Sequence, residues 1–273
     1  MERSPYFLES VDRVMKVLDC FDAGCAELRL TDLSVRLGMP KPQVLRIATT
    51  LVIGGYLERD RQTKRYRLGL RLFQLGMLVR QQMNLSRIAD PVLRHLATRT
   101  DETVALFRAD ATGAICVEVI ESPKGLRIFA QIGRTMPWNA GAAGKVILAH
   151  LPEPEREAIL EADQFEQFTP DTVTAPDHLR RMLDEVRAAG YAQSAGDLDP
   201  DASGVSAPIF DANHRVAGAL SVGGPRSRMT DAALPAMIEL VRQGAADVSR
   251  GLGYESNGNG YGPTPADVVG AGN

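Results

Sequence analysis

The chain lacks most of what would place it in a membrane, on a secretory route or around a metal. No apolar run in its 273 residues approaches the ~20 that span a bilayer. Aromatic residues make up 5%, with a single tryptophan, Trp138. The three cysteines, Cys20, Cys25 and Cys116, are odd in number and show no metal-ligand spacing. They point to reduced, buried thiols rather than to a disulfide framework or a zinc site. The opening stretch MERSPYFLES carries Glu2 and Glu9 and no apolar signal core, so a cytoplasmic protein is expected. No phosphate-binding loop appears anywhere. What remains is an ordinary globular composition, 44% hydrophobic and 24% charged, at a length comfortable for two domains.

Charge is unevenly spread. The net charge is −3, yet the stretch from Arg29 to Arg71 holds ten Lys or Arg against Asp32, Glu58 and Asp60. A cationic segment inside an acidic chain is where counterion release from nucleic acid would need it.

That segment has the pattern of a winged helix-turn-helix. Leu8, Val11, Val14, Met15, Leu18 and Phe21 recur at helical spacing, which predicts an amphipathic helix over 8–21. A short helix over 32–37 follows, with Thr31 as its expected cap and Gly38 at its end. Pro42 suits the first position of the next helix, over about 42–53, whose apolar set is Val44, Ile47, Ala48, Leu51 and Val52. Lys41, Gln43, Arg46, Thr49 and Thr50 are left for the other face and are the candidates to meet DNA. Arg grips guanine and Gln grips adenine in bidentate fashion, whereas Lys at a helix start suits phosphate. Tyr56-Leu57-Glu58-Arg59 and Arg65-Tyr66-Arg67-Leu68 alternate as two strands of a hairpin. Arg61, Lys64 and Arg65 at its tip suit phosphates or the minor groove.

The motifs Leu30-Thr31-Asp32-Leu33, Leu37-Gly38-Met39-Pro40-Lys41, Gly55-Tyr56-Leu57 and Arg65-Tyr66-Arg67-Leu68-Gly69 resemble those of the IclR family of bacterial transcriptional regulators. That family usually has Ser or Thr where this chain has Pro42-Gln43, a departure that bears on the operator sequence.

Downstream, Leu70, Leu72, Phe73, Leu75 and Leu78 continue in helical register, and a second helix is expected over 86–100. The first could pair with its twin in a dimer. From Glu102 the period changes to that of strands: 103–107, 114–120 and 126–130, then small residues leading into a helix over 146–150. Small residues ahead of a helix N-terminus let a ligand approach backbone N–H groups, although close packing selects them as well. Helices over 154–162 and 176–189, strands over 205–210 and 216–223, and a final helix from a Thr230 cap complete an α+β sheet with helices mostly on one face. Asp197, Asp199 and Asp201 alternate as calcium ligands do, but no bidentate Glu follows, so no metal is expected.

Ala143-Gly144-Lys145, Ala207-Pro208-Ile209 and Leu220-Ser221-Val222-Gly223-Gly224-Pro225 resemble the effector-binding domain of the same family, which is GAF-like. The resemblance implies a winged helix-turn-helix over 8–70, a linker helix over 71–84 and an α/β effector-binding domain over 85–252. Residues 253–273, rich in Gly, Asn and Pro and low in apolar content, are expected to be a disordered tail. The resemblance also implies effector contacts at Ala142, Ala143, Ser194, Gly204, Ser221 and Gly223. Ser194 stands where a relative with a small oxo-acid ligand has an acid, and Gly204 where Cys is common, which favours a larger or more apolar ligand. No cofactor is implied. The partners implied are a double-stranded operator, read as an inverted repeat by a homodimer or a dimer of dimers, and a small organic effector. An enzyme carrying an accessory nucleic-acid-binding module is the alternative. It would need a nucleophile with a base and an orienting group, and Cys116, His150, His178 and His214 form no such motif.

Overall fold

The computed structural model describes residues 6–22, 24–82, 84–128, 130–162 and 165–255. They fall into two compact units, Met1–Met83 and Asn84–Asn273.

The first unit holds α1 (Glu9–Leu18), α2 (Leu30–Leu37), α3 (Lys41–Ile53), the hairpin β1 (Leu57–Arg59) and β2 (Tyr66–Leu68), and α4 (Leu70–Gln82). Its core is Val17, Leu33, Val44, Ala48, Leu51, Leu57 and Tyr66, drawn from every element but α4. Each fully buried side chain of this size contributes about 1.5–3 kcal/mol. α1 stops at Leu18, short of the expected Phe21, although Phe21 is still buried. α2 begins at Leu30, not Asp32. The Asp32 carboxylate accepts the Arg29 N–H at 2.8 Å, so Arg29 and not Thr31 is the cap. Gly38 ends α2 at φ 61°, the left-handed conformation that β-carbons disfavour. Pro40 caps α3, which leaves Pro42 second in the helix, where a missing N–H is still no loss.

The second unit continues with α5 (Asn84–Thr100), β3 (Thr103–Asp110), β4 (Gly113–Ile120), β5 (Thr135–Met136), α6 (Ala142–His150), α7 (Glu153–Ala162), α8 (Pro176–Ala189), β6 (Ala192–Ala195), β7 (Ala202–Phe210), β8 (Val216–Pro225) and α9 (Leu234–Gly251). The strands form one antiparallel sheet in the order β5-β4-β3-β8-β7-β6. Helices cover both of its faces, which corrects the one-sided expectation. Val104, Leu106, Val205, Ala207, Ile209, Leu220 and Val222 pack with α5 and α9. Ala105, Phe107, Ala192 and Ala219 pack with α6 and α8 on the opposite side. The unbroken apolar run 104–107, with Thr103 buried before it, is the pattern of a strand buried on both faces.

Other expectations shift as well. No strand forms at 126–128 or at 130, Phe129 lies outside the described residues, and β5 pairs with β4 in its place. α6 starts four residues before the expected 146, and α9 starts at Leu234 rather than beside Thr230. Of the tail, residues 256–273 lie outside the described residues.

At the end of α6, His150 packs edge-on against Phe210 with ring centroids 5.4 Å apart, and its Nδ1–H donates to the Val146 carbonyl at 2.8 Å. Burial pushes the His150 pKa down from 6.5 to about 4. The unfolded chain therefore takes up this proton first as pH falls. The contribution is whole above pH 6.5 and is lost toward pH 4. Urea unfolding should show about 3 kcal/mol less stability at pH 4 than at pH 7 from this source, and His150→Gln should remove that part of the difference.

Candidate effector site and DNA-reading face

Register brings the four candidate effector residues on the sheet together. Ser194 on β6, Gly204 on β7 and Gly223 on β8 are successive partners across the sheet, and Thr103 on β3 follows Gly223. Two residues along, Ala192, Ser206, Ser221 and Ala105 make the next row. Positions two apart on a strand share a face, so all four sheet residues named from sequence lie on the α6 side, with Ser206 among them. The Ser206 and Ser221 hydroxyls are hydrogen-bonded to each other. Ile128 reaches over this row, so closely that a β-carbon on Gly223 would lie 2.4 Å from its Cδ1.

Ala142 and Ala143 open α6 and are buried. Gly141 before them has φ 73°, and a β-carbon there would meet Met136 Cε at 3.0 Å and Leu198 Cδ2 at 3.6 Å. Gly144 has a packing cause of its own, because a β-carbon on it would lie 2.0 Å from the Pro137 carbonyl oxygen. The small residues of this segment thus answer to close approach at Gly144 and to an unusual backbone at Gly141.

Two groups that the sequence singled out only as a landmark and as a loop acid form the electrostatic centre. Lys145 Nζ, 6% exposed, lies 2.5 Å from the Asp197 carboxylate, 10% exposed. The Lys145 ammonium also donates to the Gln193 carbonyl at 3.1 Å, and the Ser194 hydroxyl donates to Asp197. Ser194 itself lacks a carboxylate, but Asp197 supplies one beside it. The Thr169 and Thr172 hydroxyls donate to the Gly196 and Asp197 carbonyls at 2.8 and 2.6 Å, closing the loop after β6. Among the described residues no group of three or more His, Cys, Asp or Glu could hold a metal. Burial pushes the Cys116 thiol up to about 11 and the His150 imidazole down to about 4.

On the reader, Lys41, Arg46, Thr49 and Thr50 are exposed on α3, while Gln43 is half-buried. The Thr50 hydroxyl is spent on the Arg46 carbonyl at 2.9 Å. Leu45, which the sequence reading passed over, is 41% exposed on the same helix. Arg61 and Lys64 are exposed at the hairpin tip and Arg65 is half-buried. Asp60 shapes this turn by accepting the N–H groups of Gln62 and Thr63 at 2.8 and 2.6 Å. Those backbone bonds hold its carboxyl below the usual range. Arg67 is committed across the hairpin to Glu58, at 3.0 Å through Nε and 2.8 Å through Nη2.

Comparison with known proteins agrees with both units. Residues 10–61 match the IclR helix-turn-helix domain, and residues 77–250 match the C-terminal domain of bacterial transcriptional regulators of the IclR type. The chain belongs to the IclR family. It is a helix-turn-helix transcriptional regulator with a C-terminal ligand-binding domain. It is 33% identical to the HTH-type transcriptional regulator XynR of Escherichia coli over 90% of this chain and 98% of that one. The IclR transcriptional regulator from Alicyclobacillus acidocaldarius superposes at a TM-score of 0.79 with 29% identity, over 90% of this chain and 99% of that one. An IclR homologue from Microbacterium hydrocarbonoxydans, solved in complex with 4-hydroxybenzoate, superposes at 0.77 with 27% identity, over 89% and 98%. No helix of the described residues is long and apolar enough to cross a membrane.

The buried pair gives a direct test. Asp197→Asn should destabilise the protein by about 3 kcal/mol, because it strands the Lys145 ammonium in the interior. The double variant Lys145→Met, Asp197→Leu should regain most of that, as read by urea unfolding.

Proposed function

We propose that this regulator reads an inverted-repeat operator as a two-fold dimer, through α3 and the hairpin tip, and that its effector is an organic acid with an apolar or aromatic body. The observation that carries the ligand reading is the row Ser194, Gly204, Gly223, with Ile128 laid against Gly223 and hydroxyls at Ser206 and Ser221. Apolar surface there suits a ring or alkyl body, and the paired hydroxyls with the start of α6 suit a carboxylate. The homologue bound to 4-hydroxybenzoate supports that class. Dimerisation is supported by α4, on which Leu70, Phe73, Leu78 and Val79 are 70, 67, 53 and 57% exposed in a single chain. One reader contacts too few base pairs for useful specificity, whereas a two-fold pair reads two half-sites. Effector binding then acts by favouring one arrangement of the paired readers over another.

Footprinting on the DNA upstream of its own gene tests the reader. The combined variant Arg46→Ala, Arg61→Glu should bind at least ten-fold more weakly than wild type, and wild-type affinity should fall steeply as salt rises. Undiminished occupancy by the variant would remove the reader from the account. Calorimetric titration with aromatic and short aliphatic carboxylates tests the ligand. Aromatic acids should bind more tightly, and Ile128→Asn should weaken them about ten-fold while sparing the aliphatic ones.

A further inference from the structure

We propose that Leu45 reads the C5 methyl group of a thymine next to the base gripped by Arg46, so that the operator is recognised in part through a methyl group. The assignment rests on the DNA-reading role given to α3 above and goes beyond it in naming the chemical group that is read.

α3 turns Val44, Ala48 and Leu51 into the core at 0, 0 and 6% exposure, yet leaves Leu45 41% exposed. Pro42, Leu45, Arg46 and Thr49 are spaced i, i+3, i+4 and i+7, which places them on one face of a helix. All four are exposed. That face presents Arg46 bordered by a pyrrolidine ring, an isobutyl group and the methyl of a threonine, with the exposed Lys41 one turn before Leu45 at the helix start, where it suits phosphate. Its flanks hold less hydrogen-bonding capacity than their residue types suggest. Gln43 is half-buried and the Thr50 hydroxyl is occupied by the Arg46 carbonyl. A scattered exposed leucine needs no explanation. Leu45 differs because it lies in the N-terminal half of α3, the half of a recognition helix that meets base edges. Leucine has no donor or acceptor, and the one apolar group a base pair shows in the major groove is the thymine methyl. Arg46 beside it suits the O6 and N7 atoms of guanine. The half-site implied is a guanine with a neighbouring thymine.

Selection from random duplex DNA with the full-length protein supplies the operator. Each thymine is then replaced singly by deoxyuridine, which removes the methyl group and nothing else. At one position in each half-site the wild-type protein should bind about four-fold more weakly, the effect of one methyl group withdrawn from contact. Leu45→Met, which keeps an apolar contact, should show the same loss, and Leu45→Ala should bind the two duplexes equally. Indifference of the wild type to every replacement, or an undiminished loss in Leu45→Ala, overturns the assignment. Selection that enriches no sequence would end the DNA-reading role of α3 and this assignment with it, whereas an enriched site that ignores thymine methyls ends this assignment alone.

Discussion

A lysine ammonium is stable inside a folded domain only beside a counter-charge, and in the C-terminal unit Lys145 finds it in Asp197. Lys145 sits in the first turn of α6, a helix buried from Ala142 to Ala149, and Asp197 sits just beyond β6. Their pairing ties the central helix to the edge of the sheet, and the Gln193 carbonyl and Ser194 hydroxyl complete the set. Thr169 and Thr172 then close the loop around Asp197. The close approach of Gly144 to Pro137 fixes the same turn of the helix. The start of α6 and the row of small sheet residues thus hold their places through one buried charge pair and one glycine contact.

The DNA-reading unit follows a different economy. Its core is small, and the hairpin is joined to it by the bridge between Leu28 and Tyr66 as well as by side-chain packing. Arg67 is neutralised by Glu58 on the neighbouring strand, and Arg59 lies over the Tyr66 ring at 5.5 Å. Exposed pairs of this kind contribute little to stability, but they hold the strand cations close to the hairpin. Arg61, Lys64 and Arg65 remain at a tip whose shape Asp60 sets. The division suits the proposed reading, in which phosphate contacts would give position and the helix face would give sequence.

Most helices were legible in the sequence because an apolar stripe at a 3.6-residue period is a local signal. The pattern from Leu179 to Val186, for example, yielded α8 with Gly190 at its end, as found. Local reading failed where a rival local bond or a tertiary contact decides. Arg29 and Asp32 displaced Thr31 as a cap, and α6 began at Ala142 because its first turn is held against the Pro137 segment rather than by a capping side chain. Segment 126–130 had the composition of a strand, yet Arg228 donates to the Leu126 carbonyl at 2.9 Å and Ile128 turns toward Gly223, which are contacts from far along the chain. Two-sided burial of the sheet was written in the unbroken apolar run 104–107, a signal the one-sided expectation passed over.

By itself the sequence determined that a cationic helix-and-hairpin reader precedes an α/β domain, and it placed Lys41, Arg46, Thr49 and Thr50 on the outward side of α3, although it put Gln43 there too and missed Leu45. Periodicity and charge density suffice for that, since each depends on neighbours a few residues apart. Only the tertiary structure decided that Ser194, Gly204 and Gly223 lie side by side, that Ser206 joins Ser221, and that Lys145 meets Asp197 across 52 residues. Strand register and a buried counter-charge are properties of segments distant in the chain, and no local pattern encodes which of them will meet.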